Sequence, residues 1–169
     1  MAERDESGIF SARDFRDAVG AFATGINVIT TRGEQNGYGL TANAFSSVSL
    51  DPPLVLVCVG STSQGCQVIQ EIGAFAVNVL SADQEPLSRY FASKDRPRGR
   101  DAFRDVPHSE AITGCPLLEG AAAQLDCRLH AAHEAGDHMI FIGAVVAMNV
   151  DPDAKPLIFH GGKYASLSA

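Results

Sequence analysis

Six consecutive apolar residues, Leu54-Val55-Leu56-Val57-Cys58-Val59, follow the break Asp51-Pro52-Pro53 and constrain this chain more than any other feature. A run of that length bounded by turn residues reads as a strand buried on both faces, which needs cover on each side. The neighbouring segments supply strands to pair with it. Ile26 to Thr31 is rich in β-branched residues and stops at Arg32-Gly33-Glu34-Gln35-Asn36-Gly37, whose Asn-Gly predicts a hairpin returning through Tyr38 to Ala44. Phe75 to Leu80 predicts a further strand, Ala121 to Ala132 pairs with Met139 to Val150 around His133–His138, and Leu157 to His160 is a short last strand.

Helix signals are fewer. Ser11 followed by Asp14 predicts an N-cap with an acidic first turn, and Phe15, Val19 and Phe22 fall on one face. Ser63 predicts the cap of a short helix through Gln70, and Ser81-Ala82-Asp83-Gln84 spells a capping box ahead of Leu87, Tyr90 and Phe91. Roughly six or seven strands with about three short helices lack the alternation a doubly wound parallel sheet requires. The expectation is a mainly β (α+β) barrel with peripheral helices. Residues 1–9, mixed in charge and poor in apolar side chains, are expected to form a flexible arm, and 10–169 a single domain.

Charge and composition narrow the function. A formal net charge of −7 excludes general affinity for nucleic acid, whose backbone demands a surplus of Lys and Arg. No apolar run reaches the roughly 20 residues of a membrane span. The beginning Met1-Ala2-Glu3-Arg4-Asp5-Glu6 is too polar for a secretory signal, so a cytoplasmic protein with no membrane partner is expected. Cys58, Cys66, Cys115 and Cys127 lack zinc spacing and are expected to be reduced thiols without metal. His108, His130 and His133 read as surface or strand residues, too isolated for a metal. The chain contains no Gly-x-Ser-x-Gly elbow, no His-Glu-x-x-His, no phosphate-binding Gly-x-x-x-x-Gly-Lys loop and no Gly-x-Gly-x-x-Gly dinucleotide fingerprint.

Where, then, is the chemistry? Gly39 to Pro53 crowds Thr41, Asn43, Ser46, Ser47 and Ser49 between two apolar segments. Small hydroxyl and amide side chains supply donors and acceptors while letting backbone N–H groups approach a planar or phosphorylated molecule; an ordinary polar loop has the same composition. The segment Lys94-Asp95-Arg96-Pro97-Arg98-Gly99-Arg100-Asp101 is a basic loop, either solvated or in contact with a phosphate.

Four segments together resemble the flavin reductase-like family, the small NAD(P)H:flavin oxidoreductase components of two-component flavin-dependent monooxygenases. They are Ala23–Thr31, Gly39 to Val59, Phe75–Ser81, and Gly136-Asp137-His138 with His160-Gly161-Gly162-Lys163-Tyr164, in the family's order from about residue 10 to the C-terminus. The resemblance implies a split β-barrel of the FMN-binding type, a homodimer with flavin near the subunit interface, FMN or FAD as flavin, and a flavin-dependent oxygenase as partner. It also implies NADH as donor with NADPH possible; NADH is preferred because no Arg pair adjoins the nicotinamide motif to meet a 2′-phosphate.

The resemblance also assigns residues. Thr41, Ala42, Asn43, Ser46, Ser47 and Val48 would line the isoalloxazine edge, with Cys58 and Val59 beside them. Cys58 equally suits core packing. Ser63 would meet the flavin phosphate at a helix N-terminus, or would simply cap the helix. Phe91 falls where the family places an aromatic near the flavin, although its spacing with Leu87 also suits the core. His138 would position the nicotinamide, or serve as a hydrogen-bonded turn histidine, with Asp137 fixing its tautomer or capping the turn, and Tyr164 would flank the pocket. No protein nucleophile is expected, since hydride passes between cofactors and the protein must only stack and aim them.

Two other readings stand beside this one. A non-catalytic flavin or haem carrier uses a related barrel, and so does an oxidase of the pyridoxamine phosphate type. The latter calls for an Arg-rich anion pocket, whereas the basic residues here concentrate in one loop.

Overall fold

The computed structural model describes residues 10–33 and 37–167. The expected arm at 1–9 and the tip of the Asn-Gly turn lie outside them. α1 (Ala12–Gly20) starts at Ser11, whose hydroxyl accepts from the Asp14 N–H at 3.1 Å while the Asp14 carboxylate accepts from the Ser11 N–H at 2.9 Å. Those bonds to Ser11 hold the Asp14 carboxyl below the usual carboxylate range. None of the helix's side chains is buried, and Phe15 and Val19 face outward.

The strands follow as β1 (Thr24–Gly25), β2 (Asn27–Thr31), β3 (Tyr38–Ala42), β4 (Phe45–Leu50) and β5 (Pro53–Gly60). Next come α2 (Gln64–Ile72), β6 (Ala74–Val79) and, after a 3-10 turn, α3 (Glu85–Ala92). The remainder holds β7 (His108–Glu110), β8 (Pro116–Leu118), β9 (Ala123–Ala135), β10 (His138–Val150), β11 (Ile158–His160) and β12 (Lys163–Ala165). The short β7, β8 and β12 carry no strong sequence signal. The basic loop passes into a second 3-10 turn, Gly99–Phe103.

A seven-stranded antiparallel sheet runs β3-β2-β6-β9-β10-β5-β4. Its two edge strands are joined through Asn43 and Ala44 alone. Laid flat, such a sheet would hold its edges about 29 Å apart at normal strand spacing. The backbone from Ala42 to Phe45 reaches about 11 Å at most. The sheet therefore curls until its first and last strands approach at that link without pairing, as a split barrel.

One apolar cluster fills this curl, with Ile29, Val55, Val57, Phe75, Val77 and Phe141 buried together. Gly143 is required there, because an added Cβ would lie 2.6 Å from the Phe75 ring. A second cluster, with Val28, Leu80, Phe91, Phe103 and Leu118, lies under α3. Polar groups tie the layers: buried Asn78 donates to the Val28 carbonyl at 3.0 Å and accepts from the Leu118 N–H at 2.7 Å. A buried amide with both ends paired fixes register without an unmet polar group.

The apolar run Leu54 to Val59 is not buried on both faces, contrary to its sequence pattern. β5 alternates, with Val55, Val57 and Val59 buried and Leu54, Leu56 and Cys58 only half-buried. A curled sheet has a single interior face, so the outward side chains depend on whatever covers the wall.

Candidate functional site

β4 pairs only with β5, so alternate backbone N–H and C=O groups on its other side have no sheet partner. A register shift between Ser47 and Ser49 leaves Val48 outside the regular pairing, and Asn43, Ser46, Ser47 and Val48 are all exposed. Ala42 and Thr41 are half-buried at the end of β3. Cys58 sits alongside, its backbone N–H donating to the Ala44 carbonyl at 3.0 Å, and burial pushes its thiol up. A thiol so placed stays protonated and acts as a wall, not a nucleophile.

Behind β3 the geometry is dry and tightly bonded. The Thr41 hydroxyl donates to the Ser88 carbonyl on α3 at 2.6 Å, and the Ser88 hydroxyl, fully buried, lies 2.9 Å from the Tyr164 hydroxyl on β12. The Arg89 guanidinium sits 4.7 Å from the Tyr164 ring centroid, and Phe159 meets that ring edge-on. α3 comes this close to β3 because Gly39 has no side chain: a Cβ there would stand 2.4 Å from the Phe91 ring.

His138 opens β10 after a turn in which Gly136 takes φ of 63°. Its Nδ1 lies 2.7 Å from the Asp137 carboxylate, which that hydrogen bond and the imidazole charge hold below its ordinary range. With Nδ1–H donating to Asp137, Nε2 is the ring nitrogen left for a ligand. The turn is pinned to the end of β5: the Ser61 N–H and hydroxyl each donate to the Asp137 carbonyl at 3.0 Å. His138 pairs with Gly60, and α2 begins at Gln64, so the imidazole and the helix N-terminus share one end of the barrel.

Ser63 caps that helix, its hydroxyl accepting from the Cys66 N–H at 3.2 Å. Gly65 lets the first turn press onto β3, since a Cβ would come within 2.8 Å of Leu40 and Tyr38. Lys94 and Arg98 line a cavity of about 290 Å³ with Gln64. Arg96 is otherwise engaged, donating to the Gly39 carbonyl at 2.5 Å and to the Ser93 carbonyl, with its guanidinium 5.0 Å from the Tyr38 ring centroid.

Of the residues expected from sequence, Asn43, Ser46, Ser47 and Val48 are exposed along β4 and its lead-in, Thr41, Ala42 and Cys58 are half-buried beside them, and Ser63 and His138 follow or pair with the end of β5. Tyr164 joins them through Ser88. Two depart from this surface: Phe91 and Val59 are each 1% exposed, inside the two apolar clusters, so they support the seam from beneath. Sequence reasoning missed Ser88, Ser61 and Arg96. A serine in a helix interior between Leu87 and Arg89 was the one available signal for the first.

These groups suit a flavin. An open strand edge with small hydroxyls matches the alternating donors and acceptors of an isoalloxazine rim, and a capped helix N-terminus beside Lys94 and Arg98 matches a phosphate. Among the described residues no cluster of three or more His, Cys, Asp or Glu is placed to hold a metal. Fold and site together define a split barrel with an open, hydroxyl-lined strand edge.

The chain belongs to the family described as flavin reductase like domain, whose model matches residues 19–168. It is 41% identical over 158 residues to the FMN reductase (NADH) SmoA of Agrobacterium fabrum, covering 94% of this chain and 87% of that one. It is 36% identical over 155 residues to HsaB of Rhodococcus jostii, the reductase subunit of a flavin-dependent monooxygenase, covering 92% of this chain and 77% of the relative. The NADH:FAD oxidoreductase SgcE6 of Streptomyces globisporus C-1027, solved in complex with NAD and FAD fragments, superposes with a TM-score of 0.89 at 37% identity, over 99% of this chain and 98% of that chain.

Proposed function

We propose that this protein is an NADH-dependent flavin oxidoreductase that reduces FMN or FAD and supplies reduced flavin to a partner monooxygenase. The observation that carries the reading is the hydroxyl-lined open edge of β4, meeting the His138 turn and the α2 N-terminus at one end of the barrel. Bound there, flavin supplies the hydride acceptor, so the chain itself needs no nucleophile.

The residues then divide the work. Backbone groups of β4 with Ser46 and Ser47 hold the planar edge. Ser63, Lys94 and Arg98 receive the phosphate. His138, its ring oriented by Asp137, turns Nε2 to a nicotinamide carboxamide. Tyr164, fixed by Ser88, closes the far side.

Function as a homodimer is part of the proposal. Leu50 is 94% and Met148 75% exposed at the end of the barrel where β4 turns into β5, and Val150 lies beyond them on β10. Such apolar exposure next to the seam suits a second copy of the chain. A cytoplasmic location is proposed with it, in keeping with the four free cysteines; among the described residues no helix is long and apolar enough to cross a membrane.

The test is anaerobic NADH oxidation at 340 nm with excess FMN, FAD or riboflavin, alongside flavin bleaching near 450 nm. Multiple turnovers of free flavin are expected. Flavin retained without NADH or NADPH consumption would replace this reading with the carrier.

A further inference from the structure

Tyr164 is held at its hydroxyl, at its edge and on one face, and the group on the face carries charge. The hydroxyl meets Ser88 at 2.9 Å, Phe159 stands edge-on with ring centroids 5.7 Å apart, and the Arg89 guanidinium lies over the ring, 4.7 Å from its centroid. Arg89 is itself anchored. Its Nε and Nη2 both donate to one carboxylate oxygen of Glu85, at 2.8 and 2.7 Å, one turn back along α3. Because Ser88 and Arg89 are neighbours on that helix, a single turn gives the phenol its hydrogen bond and the ring its cation. The Arg89 side chain is 65% exposed, so the Glu85 pair adds little to folding. Tyr164 itself stays half-buried.

An aromatic face attracts a cation through the ring quadrupole. A guanidinium already seated on one face draws π density toward itself, so the ring has less to offer a second cation, and the two like charges repel. That asymmetry bears on a donor whose charge changes in the reaction. Dihydronicotinamide is neutral; when its C4 hydrogen leaves for the flavin with the bonding electron pair, the ring becomes a pyridinium cation. The phosphates are the same before and after, so any group that reads them weighs on both forms alike.

From this we infer that Arg89 is a positioning residue that acts through Tyr164 to favour the neutral, reduced donor over its cationic, oxidised product, and so limits inhibition by NAD+. The inference rests on the flavin reductase reading above, in which Tyr164 flanks the cofactor pocket. Glu85 offsets part of the guanidinium charge, which holds the expected discrimination to about threefold.

The experiment measures KM for NADH and the competitive inhibition constant of NAD+ under anaerobic conditions with excess free FMN, in the parent and in Arg89→Leu, Arg89→Gln and Arg89→Lys. Both neutral variants should lower the NAD+ constant about threefold, while KM for NADH, flavin Kd and melting temperature stay near the parent's. Arg89→Lys keeps the charge and should keep the parent's ratio of the two constants. In a Tyr164→Leu background, calorimetry with NAD+ should show the same affinity with and without Arg89→Leu. Constants for NADH and NAD+ that rise together would overturn the inference and make Arg89 a phosphate ligand. A ratio unchanged in both neutral variants would overturn it as well, and so would a shift in NAD+ affinity that persists without the Tyr164 ring. A parent that oxidises neither NADH nor NADPH with any flavin refutes the proposed function and this inference with it; turnover by the parent with an unaltered ratio in the variants refutes the inference alone.

Discussion

The two ends of the candidate seam are built in opposite ways. At the Thr41 end, hydroxyls from three elements meet around the buried Ser88, and the bonds are short and shielded. At the His138 end, the key pair is a neighbouring Asp137-His138 contact, with the His138 side chain 49% and the Asp137 side chain 94% exposed. The dry end is positioned by the fold and will transmit a mutation into stability. The wet end is positioned by a local turn, and its mutations should act on ligands alone. Exposed ion pairs contribute little to folding, whereas buried polar groups are costly to orphan.

The strongest break in this contrast is Gly39→Val. Its Cβ would enter the Phe91 ring, lifting α3 from β3, so we expect a loss of about 3 kcal/mol or more and a clear fall in melting temperature by circular dichroism. Preserved stability would show that α3 is not held as described. Ser47→Trp sits on the exposed edge and should do the reverse, leaving unfolding unchanged while flavin affinity falls about a hundredfold, read by fluorescence titration. His138→Ala should raise the KM for NADH about tenfold, the loss of one oriented hydrogen bond, with flavin Kd and melting temperature essentially unaltered. If flavin binding falls equally, the nicotinamide is not His138's ligand.

Ser88→Ala sharpens the comparison from the dry side. A cost of about 1 kcal/mol is expected from the lost hydroxyl contact, and Tyr164→Phe should repeat it. The double variant should be non-additive, since both remove one bond. The smallest effect concerns thiols: burial and the neighbouring Asp126 carboxylate push Cys127 up to about 12. A disulfide reagent at pH 8 should label Cys58 first, because it alone is not fully buried, and bound flavin should slow that labelling. Rapid labelling of Cys115 or Cys127 in the folded protein would contradict the packing around them.

Local signals in the sequence carried far. Ser11 and Ser63 are helix caps, as their spacing predicts, and the capping box at Ser81 is present, though it starts a single 3-10 turn before α3 proper. The paired strands near the C-terminus run longer than expected, as β9 and β10. The unbroken apolar run of β5 misled about burial because periodicity vanishes when every residue is apolar; only barrel closure separates its faces. Phe91 illustrates the same limit, since helical spacing puts it on a face with Leu87 but does not say which layer that face meets.

Amino-acid order alone determined the β-rich class, the helix starts, the turn at Gly136-Asp137-His138 and the hydroxyl-rich stretch between strands, because each depends on neighbours a few residues apart. Tertiary structure decided what those stretches face. Thr41, Ser88 and Tyr164 come together across 123 residues of chain, and Thr31 comes to line one cavity with Arg32, Arg100 and Arg104 only through the fold. Such contacts depend on how the sheet closes, which is set by the summed packing of the whole barrel and leaves no mark at any one position.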